Sequence, residues 1–596
     1  MKNPEKHIIH VFIAIMIITN AFLIGAVHLE VNEIDYRGPY VDELIFVIYA
    51  NPDAATRGVI TGEVDMRGLR LTWTEKEVLE KEENIEIAVT GPTQEQFHMW
   101  INLLGPPSGP LCLTDVRFRR ALAYAIDRET LCEEVFGEFM SPVDTWTAEG
   151  WGEWYNPNVA TYPFNVTKAN EILDEAGYLI GTDGWRRTPA DEPINLKLIA
   201  IAERPDEVKF ARLLGDTIRE NIKVNLVGEG LEVAEWVSLA VISKTHDIAI
   251  ATNQMPSLPY EFIDWMLREY HSEGALALGW TSGDELIEEL GNAKSKEEAI
   301  SIAHQLQVLL MEELPKIHPG FSKMAYVYRT DEFDHWVNHE ALGMASSTWN
   351  YLNVRLKTGE PGGRLRVSLT EDIATQNPYT TWALGYLIMQ LVYDPLINRH
   401  TLDGLGEVPG LAKSWKIEYL DVDGVPGTKL TFNLVENATW HDGEKFTSED
   451  VKFTLEYLKN HTTPSKFAAD VPKVYKVETP DDYTAEVYLQ KESYWALSWV
   501  GKVLILPKHV WEDIEDPINF DNPNPIGTGP WEWKNRVEGQ YIWLERNPDY
   551  YHSVVAAGPV TPPPVDYTPY YYVAVLLAIV IIAIGSFYIL RARRNR

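Results

Sequence analysis

The chain has 596 residues, 45% of them apolar and 23% charged, the balance of a folded protein of several domains rather than a disordered or collagen-like chain. Lys plus Arg number 52 against 87 Asp plus Glu, and the net charge of −35 repels phosphate backbones, so nucleic acid is not an expected partner. Two cysteines, Cys112 and Cys132, exclude a disulfide framework and a paired CxxC zinc site; they leave room for one disulfide, and two inert thiols are the expectation.

Residues 8–27 (IIHVFIAIMIITNAFLIGAV) form an apolar run behind Lys2 and Lys6, and residues 1–30 read as a signal peptide or an uncleaved signal anchor. VDELIFVIY (41–49) has the pattern of a strand, and NPDAATRGVITGEVDM (51–66) predicts a helix ending at Gly62 followed by a short strand. DVRFRRALAYAI (115–126) carries Asp115 as its cap, and Asp127 with Glu129 opens the next helix. VTKANEILDEAGY (166–178) is a helix closed by Gly177. PINLKLIAIA, IKVNLVGEG and HDIAIAT read as strands with the helix 208–221 between the first two, the rhythm of a sheet covered by helices. GEPGG (359–363) breaks this pattern, and a second region follows with the strand LRVSLTED, a hairpin turning at a DG pair, and the capped helix SEDVKFTLEYLKNH.

Residues 554–569 form a Pro-rich stalk. Residues 570–590 (YYYVAVLLAIVIIAIGSFYIL) carry no charge and span about 31 Å as a helix at ~1.5 Å per residue, which predicts a transmembrane helix. Residues 591–596 (RARRNR) form a basic tail, and by the positive-inside rule both termini face the cytoplasm. The expected location is therefore the cell membrane, with the folded domain on the extracellular side. Sequons at Asn165, Asn437 and Asn460 are compatible with it.

Enzyme signatures are scarce: H-E-x-x-H, G-x-S-x-G and G-x-x-x-x-G-K-[ST] are missing, so no catalytic residue, cofactor or metal site is assigned. In WHDGEKF, His441, Asp442 and Glu444 invite a catalytic reading, but an Asx turn at Asp442, a positive φ at Gly443 and a helix cap at Thr447 or Ser448 account for them. The D-x-D-G at 421–424 lacks the rest of a calcium loop and reads as a hairpin turn. The 20 Trp and 29 Tyr fit either ligand-facing aromatic surfaces or large cores.

Residues 408–459, with WHDGEKFTSEDVKF as their most specific part, resemble the family-5 extracellular solute-binding proteins, the oligopeptide, dipeptide and nickel receptors of ABC importers. LVYDPLI (391–397), DDYTAEVYL (481–489), ILPKHVWE (505–512), IGTGPW (526–531) and LERNPDYY (544–551) extend the resemblance, and DVRFRRALAYAIDRETL and KANEILDEAGY are similar to the family's later motifs. The order is reversed, because in the family the WHDGE region comes first. A circular permutant is inferred, with two half copies pairing between chains as the rival. The resemblance implies a two-lobed, hinged, type II periplasmic-binding-protein-like α/β fold, with terminal transmembrane helices here. Lobe I then comprises 37–94 and 336–553, and lobe II 95–335.

The resemblance also implies a ligand held in the interlobe cleft. Phe97, Trp100 and Asn102 lie on the first lobe II strand, and Asn377 and Tyr379 lie in the lobe I loop QNPYT. Trp146, Trp151 and Trp154 fall in an irregular segment that a core absorbs less easily. Peptide-binding members resemble W-x-x-D-Y-x-D-P after the strand matching HDIAIAT, whereas this chain has Met255 near the acidic position that receives a peptide's amine. Asn253 and Gln254 there, with the Trp cluster, suit an oligosaccharide, so peptide and oligosaccharide both stand as ligands. The expected function is a membrane-anchored solute receptor that delivers its ligand to an ABC permease in the same membrane. The alternative is a surface sensor or a non-transport surface protein on the same scaffold.

Overall fold

The computed structural model describes residues 38–49, 51–91, 95–105, 111–254, 260–339, 342–381, 383–398, 407–461 and 473–552. The expected signal segment, stalk, transmembrane helix and tail lie outside these residues, and no helix among the described residues is long and apolar enough to cross a membrane.

Local chemistry sets the elements. The helix Pro52–Thr61 begins where the Asn51 side chain accepts from the Ala54 N–H and Pro52 fills the first turn; it stops at Gly62, whose φ of 77° lies in the left-handed region. Asp115 caps Val116–Ala125, and Asp127 caps Arg128–Phe136. The DG pair turns the hairpin as expected: Asp423 and Gly424 both have positive φ, the demand of a tight two-residue turn, and Asp421 accepts from the Gly424 N–H.

Numbered along the chain across the three main sheets, the strands are β1 (Glu43–Ile48), β2 (Met66–Arg67), β3 (Ile85–Val89), β4 (Glu95–Ile101), β5 (Met140–Pro142) and β6 (Asn195–Ile201). Then come β7 (Asn225–Leu231), β8 (Ile248–Gln254), β9 (Lys316–Ser322), β10 (Ala325–Arg329), β11 (Arg364–Leu369), β12 (Ala412–Val422) and β13 (Val425–Leu434). The last are β14 (Val474–Asp481), β15 (Thr484–Leu489), β16 (Trp531–Val537) and β17 (Tyr541–Arg546). One sheet of seven strands runs β16-β17-β1-β11-β2-β10-β3, one of six runs β5-β9-β4-β8-β6-β7, and one of four runs β12-β13-β15-β14. The six-stranded sheet is buried on both faces. Phe97, Met99 and Ile101 of β4 enter the main core, while Trp100 joins Ile199, Trp236 and Ala249 on the other side.

The chain passes from the seven-stranded half to the six-stranded half between β3 and β4, and returns between β9 and β10. The two passages are tied together: the Thr90 N–H donates to the Met324 carbonyl at 2.8 Å, and the Met324 N–H donates to Thr90 Oγ1 at 2.8 Å. Paired segments of this kind make a hinge. The expected return at 335 is corrected to the Ser322–Ala325 step, because β10 already hydrogen-bonds to β3 along five residue pairs. A second contact joins the halves away from these passages. The carbonyls of Leu290, Gly291, Ala293 and Lys294, at the end of the helix Asp284–Asn292, accept from Trp495 Nε1, Ser493 Oγ, the Tyr494 N–H and the Tyr419 hydroxyl. Helix-end carbonyls need such donors, and here the four-stranded sheet and the loop after it supply them.

Candidate functional site

The hinge passages bring charged groups of both halves together. Glu95 opens β4 almost fully buried and is ion-paired with Arg70, which leads into the helix Trp73–Leu79 of the other half. Across the sheet Glu95 stands opposite Gln254, Gln96 opposite Asn253, and Phe97 opposite Thr252. Thr252 Oγ1 donates to Glu207 Oε1 at 2.9 Å, and Arg204 Nη1 donates to the same oxygen at 2.9 Å. Burial pushes the Glu207 carboxyl above the usual carboxylate range, against the pull of Arg204. The side chains of Asn253 and Gln254, and the segment 255–259 with Met255, lie outside the described residues.

The other expected ligand residues fall into three packed groups. Phe97 stacks edge-on against Phe136 and Phe210. On the opposite face of β4, Trp100 donates from Nε1 to His98 Nε2 at 2.6 Å. Asn102 is a brace: Nδ2 donates to the carbonyls of Lys244 and His246 at 2.9 and 2.8 Å, and Oδ1 accepts from the Leu104 N–H at 3.0 Å. Asn102→Ala is expected to lower unfolding stability by about 3 kcal/mol, since it strands buried backbone groups; equilibrium denaturation in urea checks it.

The expectation that Trp146, Trp151 and Trp154 stand clear of a core is corrected, because they are 2%, 0% and 2% exposed. They pack around Phe262, and Trp146 Nε1 donates to the Tyr270 hydroxyl at 2.7 Å. Asn377 and Tyr379 are equally buried, inside the seven-stranded half. Asn377 Nδ2 donates to the carbonyls of Pro517 and Phe520 at 2.7 and 2.8 Å, and Tyr379 lines a small cavity together with Leu458, Val503 and Leu506. These side chains are spent on packing and bracing in this conformation.

The sequence missed a buried polar cluster on the far face of β4. The Lys316 ammonium pairs with Glu269, both side chains below 5% exposure, and lies 4.4 Å from the centre of the Tyr270 ring and 5.0 Å from that of Trp100. Glu269 and Tyr270 reach it from a π-helical turn, Met266–Tyr270, whose i→i+5 spacing no 3.6-residue periodicity reveals. His98 and His318 stand edge to face beside it, and burial holds the His318 imidazole down at about 3. Cys112 and Cys132 are free and buried, and burial pushes both thiols up to about 12, as expected of inert groups.

The WHDGE segment is structural, as its residues imply. His441 Nδ1 accepts from the Gly527 N–H at 3.2 Å, and Nε2 lies 3.0 Å from the Gly529 carbonyl, so one neutral imidazole joins WHDGE to IGTGPW. Asp442 accepts from the Glu444 N–H, Gly443 has a φ of 91°, and Thr447 caps the helix Ser448–Asn460.

The sequence matches the bacterial extracellular solute-binding proteins, family 5, over residues 25–273 and 407–574, well over half of its length. The chain belongs to this family. A candidate ABC transporter peptide-binding protein of Brucella ovis is 36% identical over 176 residues, which cover 28% of this chain and 30% of that one. The oligopeptide-binding protein AppA of Bacillus subtilis is 28% identical over 209 residues, 34% of this chain and 37% of that one. The chain thus spans about a third of the length of these curated relatives. Among solved structures, AppA in complex with a nonapeptide aligns with a TM-score of 0.44 at 14% identity, over 52% of this chain and 59% of that one. NikZ from Campylobacter jejuni in complex with Ni(L-His) aligns with a TM-score of 0.43 at 18% identity, over 51% and 59%.

Proposed function

We propose that this family-5 protein is a membrane-tethered receptor that captures a peptide between its two halves, outside the cell, and presents it to an ABC permease. The observation that carries the reading is that, among the described residues, the chain crosses between its two α/β halves only twice, along passages hydrogen-bonded to each other, the construction that lets one half turn on the other and close over a guest. Relatives described as peptide-binding support the choice of peptide. An oligosaccharide is less well served, because the indoles of Trp146, Trp151 and Trp154 have no free face on which a sugar stacks.

The chain order is read as a circular permutation. β11 runs parallel to β1, with Glu43 opposite Arg364, so the link 357–363 joins neighbouring elements of one half. On the other side of β1, antiparallel β17 brings the Arg546 N–H to 2.9 Å from the Asp42 carbonyl. One chain completes the seven-stranded sheet from both of its parts, which favours permutation over pairing between chains. The strands leading to both termini end side by side, which suits two anchors entering one patch of membrane.

The test is thermal. Peptide and oligosaccharide libraries are screened against the full chain, and a ligand present at ~100 times its Kd is expected to add about 2.7 kcal/mol to stability and raise the Tm. Shifts with peptides alone support the reading, shifts with oligosaccharides alone move the ligand class, and no shift with either removes capture.

A further inference from the structure

The contact that joins the halves away from the hinge passages is built as a seat and a bolt. The seat is the end of the helix Asp284–Asn292 in the six-stranded half, where last-turn carbonyls need donors from outside. The bolt is the loop 491–495 that follows β15. Trp495 Nε1 donates to the Leu290 carbonyl at 2.7 Å, Ser493 Oγ to that of Gly291 at 3.0 Å, and the Tyr494 N–H to that of Ala293 at 2.6 Å. The Trp495 indole is wholly buried and tilts against Trp154 of the other half, with ring centres 5.8 Å apart. At the rim the Tyr419 hydroxyl donates to the Lys294 carbonyl at 2.6 Å, and the Lys294 ammonium pairs with Glu492.

The bolt is braced from its own side. Thr428 Oγ1 of β13 donates to the Lys491 carbonyl at 2.7 Å and accepts from the Ser493 N–H at 3.1 Å, while Ser493 Oγ accepts from the Trp495 N–H at 3.2 Å. None of these three bonds crosses to the other half, so the loop can leave the seat without losing its shape. What it leaves behind is a helix end, whose carbonyls water also satisfies. Two bodies joined by a hinge and by one further contact cannot part while that contact holds.

We propose that the loop 491–495 is a latch: it fixes the two halves together through protein contacts alone, and Trp495 must lift away from Trp154 before the halves part and solute enters. The proposal rests on the hinged-capture reading above and adds a threshold to it. Opening costs the bonds of the seat, so the parted form is a minor population and solute entry waits on release.

Backbone hydrogen–deuterium exchange of the full chain reads the latch directly, because the Tyr494 N–H bonds across the halves whereas the Ser493 N–H bonds within one. Mass spectrometry with fragmentation that resolves the two amides follows both. In the natural chain Tyr494 is expected to be less protected than Ser493. Trp495→Phe removes the donor to Leu290 and keeps a ring in place; it is expected to speed exchange at Tyr494 by about tenfold and to leave Ser493 unchanged. Should Trp495→Phe loosen both amides alike, Tyr419→Phe, which removes one hydroxyl at the rim, decides with an expected gain at Tyr494 alone of about threefold. Equal protection of the two amides in the natural chain and in the variants makes the contact a permanent joint and overturns the latch; peptide capture then still stands or falls by its own thermal test. A tryptic digest of casein supplies the peptides for a last arm, and their capture across both halves is expected to slow Tyr494 in the natural chain. Slowing ties the latch to capture, whereas a releasing latch that ignores the digest counts against peptide capture and leaves the latch in place.

Discussion

Lys316→Met is expected to lower unfolding stability by about 3–5 kcal/mol, the usual cost of breaking a buried ion pair from one side. The ammonium and the Glu269 carboxylate are almost completely enclosed, with the rings of Tyr270 and Trp100 beside the positive charge. Burial already holds the Lys316 ammonium below its ordinary range in spite of Glu269, which shows how much that charge depends on its partner. Methionine fills the space and leaves Glu269 without its cation in the same apolar setting. The double variant Lys316→Met/Glu269→Leu removes both charges and is expected to recover most of the loss, because a well-packed apolar pair is often as stable as the ion pair it replaces. Urea denaturation of the natural chain, the two single variants and the double variant closes the cycle. A double variant no more stable than Lys316→Met would place the effect in packing rather than in charge.

What sequence could reveal follows from the range of each interaction. Caps and turns act over three or four residues, so Asn51, Asp115, Asp127, Gly62 and the Asp423-Gly424 turn are legible from their neighbours alone. The candidate site depends on longer range. Trp146 is spent on Tyr270, 124 positions away, and nothing beside Trp146 says so. One part was legible and not used: in F-x-x-W-x-N the odd spacing puts Phe97 on the opposite face of a strand from Trp100 and Asn102, so the three cannot line one wall. Glu207, in the first turn of its helix, satisfies the helix dipole so well as a surface residue that only its burial against Thr252 sets it apart.

Asp394→Asn is expected to make the chain more sensitive to acid than the natural protein, by about 2 kcal/mol between pH 7 and pH 5. Asp394 is wholly buried, and burial pushes its carboxyl up to about 7; Thr528 Oγ1 reaches it only at 3.4 Å. Glu407 is likewise raised to about 7 by burial. A carboxyl raised in the folded state contributes stability that is full below its unfolded value and is lost as pH rises through 7. Between pH 7 and pH 5 each of these acids therefore steadies the fold. Buried histidines act in the other direction. His318 is held down at about 3 and His246 at about 4, so their contribution is intact above the unfolded value near 6.5 and drains away as pH falls toward those values. Each gives up about 2 kcal/mol over the same two units. Burial also holds His552 at about 4 and pushes His98 and His441 down, so the histidines outweigh the two acids, and the natural chain is expected to lose Tm on acidification across this window. Asparagine at 394 keeps the shape and removes one of the compensating protons, so the loss on the acid side is steeper than in the natural chain. Tm measured against pH for both chains decides it: parallel curves would mean that Asp394 binds no proton in this range, and a variant that gains on acidification would reverse the sign.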